Sequence, residues 1–145
     1  MITDTIIWVH GDCLDPNGPA LAAYPGAPAI WVWDDALLAK WGLSLKRIVF
    51  IYESLLELPV VIRRGNVALE VRRFAEEHGA RRIATAESPS PRFAALCAEL
   101  RRTHSVEPLP VAPFLPYESK IDLKRFSRYW GVAERYVFDK THESR

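Results

Sequence analysis

The chain has 145 residues, 49% hydrophobic and 26% charged, with 19 Lys plus Arg against 18 Asp plus Glu. That balance describes an ordinary globular domain and excludes disordered and fibrous classes; a net charge of +1 also gives no general electrostatic drive toward nucleic acid. A chain of this size builds a core without staples, so the two cysteines need form no disulfide framework and the cytosol is the expected compartment.

Asp4 to His10 is β-branched and aromatic, and its near-continuous apolarity predicts a strand buried on both faces. The run lacks the basic flank and cleavage site of an export signal. Nowhere does the chain approach about 18 continuous apolar residues, so neither export nor a membrane span is expected. Pro16 to Pro19 is turn chemistry, and Ala20 to Ala23 gives one helical turn before Tyr24 to Pro28 breaks it. Ala29 to Trp33, bounded by Asp34 and Asp35, reads as a second strand with Trp31 and Trp33 on one face and Val32 on the other. Trp41 falls in a loop.

From Ser44, an N-cap, the period becomes helical: Leu45, Ile48, Val49, Tyr52, Leu55 and Leu56 recur until Pro59 ends the helix. Val60 to Ile62 predicts a short third strand and Gly65-Asn66 a turn. Val67, Val71, Phe74, Ala75 and His78 mark a second amphipathic helix that Gly79 closes. Arg82 to Thr85 is a fourth strand, followed by the polar loop Glu87 to Ser90. Pro91 opens a third long helix with Phe93, Leu96, Cys97 and Leu100 on one face. Val106 to Val111 is a fifth strand that Pro108 and Pro110 confine to an edge.

Strands alternating with helices predict a Rossmann-like three-layer α/β/α fold over residues 1–116, with a five-stranded parallel sheet of order 3-2-1-4-5. Residues 117–145 form a helical extension. Its helix, Asp122 to Val137, sets Leu123, Phe126, Trp130, Ala133 and Val137 on one stripe despite Gly131, and residues 142–145 are expected to fray. Phe126, Tyr129 and Trp130 suit a contact with another protein or a second copy; the alternative is a helix packed back on its own sheet.

Ligands of open parallel sheets bind beyond the carboxyl ends of strands where the strand order reverses. With the first and fourth strands as central neighbours, that crevice is lined by His10, Gly11, Asp12, Cys13 and Leu14 and by Glu87, Ser88 and Ser90, with Trp33 and Asp34 beside it. Gly11 admits a ligand close to the backbone, the indole offers a stacking face, and hydroxyls and carboxylates fix polar edges. His10 and Cys13 are metal-ligating types, but no CxxC or HExxH brings three or four ligands together, and no metal is expected. Cys13 has no sequence signature pairing it with a base and reads as an inert loop thiol; Cys97 reads as core. Asp12 or Asp34 as the base of a small hydrolase or transferase stays open, without supporting nucleophile spacing. Trp8, Trp31 and Trp33 read as packing. No P-loop or GxGxxG is present.

The stretch Trp8 to Leu21 resembles the opening signature of the DNA photolyase and cryptochrome family, W-F-R-x-D-L-R-x-x-D-N-P-A-L, with Trp8, Asp12, Pro19, Ala20 and Leu21 in register. His10 and Leu14 stand where that signature has arginines. Ile30 to Asp34 is similar to the family's second strand, Phe50 to Leu58 to its F-L-x-E-S-L-x-x-L helix, and Val61 to Gly65 to its V-x-x-G turn; of its later N-x-D-x-E-P pattern only Pro91 is in register. The matches run in order through most of residues 5–115. The resemblance implies an α/β domain holding an auxiliary light-harvesting chromophore, such as a flavin, deazaflavin or reduced folate, in the crevice named above. In the family the catalytic flavin and the DNA-binding face belong to a separate helical domain. The resemblance therefore implies no repair chemistry, no catalytic FAD and no direct nucleic-acid binding by these 145 residues.

Overall fold

The computed structural model describes residues 4–138, and the expected fraying of residues 142–145 lies outside them. All five residues of β1 (Thr5–Val9) are buried, which is what a central strand covered on both faces requires. After it come α1 (Pro19–Ala23), β2 (Ala29–Asp34), α2 (Asp35–Trp41), α3 (Leu45–Leu56), β3 (Val60–Gly65), α4 (Val67–Glu77), β4 (Arg82–Ala86), α5 (Pro91–Leu100) and β5 (Ser105–Leu109). The sheet is parallel throughout, in the order β3-β2-β1-β4-β5. The α/β class and strand order are those expected from the alternation of periods.

Alternation along β1 divides the core. Ile6 and Trp8 face one layer with Ile30, Val32 and Ile83, and are covered by Val71 and Phe74 of α4 and by Phe93, Cys97 and Leu100 of α5. Ile7 and Val9 face the other with Ala29, Trp31 and Ala84, under Ala20 of α1 and Leu55 of α3. Helix signals hold where capping chemistry is explicit. The Asn66 side chain accepts from Leu69 N–H at 2.9 Å, and Pro91 occupies the first turn of α5. Gly79 follows α4 at φ +64°, the left-handed position that favours glycine.

Four boundaries depart from the sequence reading. The loop expected at Trp41 is the end of α2: the Asp34 carboxylate caps Leu37 N–H at 3.1 Å, and Gly42 at φ +52° closes the helix. β3 runs on to Gly65, because Arg63, Arg64 and Gly65 continue the ladder beside Val32, Trp33 and Asp34 of β2, and the two arginines form ion pairs with Glu77 and Asp35. β5 ends at Leu109, two residues early. The C-terminal helix α6 (Phe126–Val137) starts four residues later than expected, after the Asp122 side chain has accepted from Lys124 N–H at 2.9 Å in a local turn. The chain divides into two compact units, Met1–Val111 and Ala112–Arg145. Among the described residues no helix is long and apolar enough to cross a membrane.

Candidate functional site

The loops after β1 and β4 do meet, but they close on each other. The His10 Nε2–H donates to the Ala86 carbonyl at 2.7 Å, and Nδ1 of the same ring accepts from Asp12 N–H at 3.3 Å, so these bonds select the Nε2–H tautomer. The Ser88 hydroxyl donates to the Asp12 carboxylate and accepts from Ser90 N–H at 3.2 Å. The polar groups expected to meet a ligand between β1 and β4 are thus largely engaged in joining the two loops.

A cavity of about 250 Å³ opens one strand over, at the carboxyl ends of β1 and β2. His10, Gly11, Asp12, Trp33, Asp34 and Ser90 are among the residues that line it. Four further expected residues lie elsewhere. Cys13 is half-buried, its sulfur 3.0 Å from where a Cβ on Gly18 would stand. Leu14 packs on the Ile7 and Val9 side of the core. Glu87 is exposed, its N–H donating to the Leu109 carbonyl at 2.8 Å, and Ser88 is buried in the tie just described.

The cavity is walled by aromatic rings. Trp8 stacks on Phe93 at 5.7 Å, His10 lies tilted 5.1 Å from Phe93, and Trp31 meets Trp33 edge-on at 5.5 Å. Trp41, from the helix that sequence reasoning missed, adds a fourth indole, 61% exposed. The buried Trp31 Nε1–H has no acceptor among the described residues. An unpaired donor beside a cavity is the kind of group whose desolvation a ligand oxygen would repay.

Charge enters through two arginines the sequence reading passed over. Arg92, on the first turn of α5, donates to Asp34 at 2.6 Å. Burial works to raise the Asp34 pKa, but the Arg92 bond, the Leu37 and Ala36 N–H groups and the Arg92 charge outweigh it and hold the carboxyl below its ordinary range. A carboxylate so stabilised is a weak proton acceptor, which disfavours Asp34 as a general base. Arg47, on α3, is exposed at the cavity and has no acidic partner among the described residues. Burial pushes the Cys97 thiol up, so this core cysteine is unreactive. No cluster of three metal-ligating side chains occurs among the described residues.

The signal for α2 was present: Asp34 caps Leu37, and Leu37, Leu38 and Trp41 recur at helical spacing. The Asp34–Arg92 pair, 58 residues apart, left no local trace. In α6, outside this cavity, Phe126 is 72% exposed and stacks on Trp130 at 5.9 Å, while Tyr129 is half-buried with its ring 6.3 Å from that of Phe126. No protein-family model matches the chain, and no curated protein matches it.

Proposed function

We propose that the α/β unit is a ligand-holding module related to the N-terminal domain of DNA photolyases and cryptochromes, and that its cavity takes the fused-ring head of a flavin, deazaflavin or reduced folate. One observation carries the reading: four of the chain's five tryptophans border a single cavity at the carboxyl edge of a parallel sheet. At about 250 Å³ it falls just below the ~300 Å³ where small-molecule sites begin, which favours a ring system seated with its tail outside. Flavin phosphates and folates carry acidic tails, and Arg47 is the cation available to meet one. The reading assigns no chemical step to the module and puts it in the cytosol, where the free thiols of Cys13 and Cys97 are at home.

Equilibrium dialysis of the purified chain against riboflavin 5′-phosphate, a deazaflavin and a reduced folate tests it. One of them is expected to bind below about 100 µM, with an absorption band shifted by stacking, and Trp33→Ala or Arg47→Ala should weaken it about tenfold. Absence of binding by all three at high micromolar concentration removes the reading. A second reading, protein contact through Phe126, Tyr129 and Trp130, is favoured by Phe126, which is exposed while stacked on half-buried Trp130. It predicts that Phe126→Ala with Trp130→Ala abolishes an association the wild type makes.

A further inference from the structure

Helix α3 is apolar over one arc of about 160°, running from Ile51 and Leu55 through half-buried Ile48 to Val49, with Phe50, 67% exposed, apart from it. Ile51 and Leu55 pack on the sheet, whereas Leu45, Val49, Tyr52 and Leu56 are 75, 44, 48 and 65% exposed. The second set is spaced by four, three and four residues, the repeat of a coiled-coil seam; at 100° per residue it spans only about 60° of arc. Its centre lies roughly 110° from that of the buried pair, with Ile48 between them, so it is the exposed half of one apolar arc. Exposed charges border it: Lys46 in the first turn, Glu53 and Glu57 toward the far end.

The pattern is self-complementary. Around a midpoint between Val49 and Tyr52 the seam reads leucine, central pair, leucine, with positive charge at one end and negative at the other. We propose that this seam is a homodimer contact, in which α3 packs antiparallel against α3 of a second copy about a two-fold axis crossing that midpoint. Leu45 of one copy then meets Leu56 of the other, and Lys46 comes within one turn of Glu53 and Glu57 of the other. A parallel pairing would put the two charged flanks on opposite sides of the seam, where neither meets an opposite charge, and an isologous contact needs the symmetry this helix carries. Arg47 projects from the opposite side of α3 and lines the cavity, so pairing leaves the proposed ligand site open and does not depend on it.

Sedimentation equilibrium of the full chain from about 5 to 500 µM reads the association directly. A reversible monomer–dimer equilibrium is expected, and Leu45→Glu with Leu56→Glu should weaken it at least about a hundredfold with an unchanged far-ultraviolet spectrum. Lys46→Glu alone should weaken it, and adding Glu53→Lys and Glu57→Lys should restore it; these exposed positions keep the test valid if the leucine variant misfolds. Mixed Leu45→Cys and Leu56→Cys chains should form a disulfide between positions 45 and 56, mapped by mass spectrometry, while neither variant links to itself there. A monomer throughout the range, a link between two copies of position 45, or an association abolished by Phe126→Glu and indifferent to the α3 changes would each overturn the proposal.

Discussion

Asp34 concentrates several roles in one carboxylate. One oxygen caps α2 through Leu37 N–H at 3.1 Å, the other accepts from Arg92 at 2.6 Å, and the group borders the cavity. Because these partners hold its folded pKa below the unfolded value, its contribution to stability is present above the ordinary carboxylate range and is lost as the pH falls through the depressed value. Asparagine keeps the cap acceptor and removes the charge. Asp34→Asn should therefore cost about 0.5–1 kcal/mol at pH 7, a figure discounted because Arg92 is partly solvated, and its urea midpoint should converge on the wild type as the pH falls through that depressed value. Asp34→Ala also deletes the cap and should cost about 1 kcal/mol more than Asn at neutral and at acid pH alike, since a protonated carboxyl still accepts from Leu37. An Asn variant whose destabilisation shrinks nowhere in the acid range would show the ion pair to be idle.

Helix α3 marks where sequence periodicity stops being decisive. Its apolar residues fill an arc of about 160°, wider than one contact covers, and nothing in the chain's order says which half meets the sheet. The structure buries Leu55 to 1% and leaves its neighbour Leu56 65% exposed. In dilute solution, where self-association is negligible, Leu55→Ala should cost about 2–5 kcal/mol in urea unfolding and Leu56→Ala less than about 0.5 kcal/mol. Equal losses would mean the helix is rotated from this setting. α4 and α5 were legible for the converse reason: Val71, Phe74, Phe93 and Cys97 have no rival arc, and Asn66, Gly79 and Pro91 fix the ends. α2 hid because seven residues give too few turns for periodicity to be decisive, leaving the short recurrence Leu37, Leu38, Trp41 and the Asp34 cap to announce it.

At the scale of the whole molecule, the strand order followed from alternating periods, and with it the edge of the sheet where a cavity belongs. Which loops would stay open did not follow. His10 reaches the Ala86 carbonyl and Ser88 reaches Asp12 across 76 residues, bonds that spend the crevice's polar groups on one another and displace the hollow toward β2. The displacement gathers Trp8, Trp31, Trp33 and Trp41 around one space and leaves Trp130 alone in the other unit, Ala112–Arg145. Intrinsic fluorescence can therefore report where a ligand sits. Replacing Trp130 by Phe should leave nearly all tryptophan emission with residues that border the cavity. Saturating this variant with riboflavin 5′-phosphate, which accepts energy from indole, should quench more than about half of that emission, with the same midpoint as dialysis and a weaker one after Trp41→Ala. Quenching that disappears with Trp130→Phe would instead locate the ligand on the C-terminal unit, and the cavity would have no claim on it.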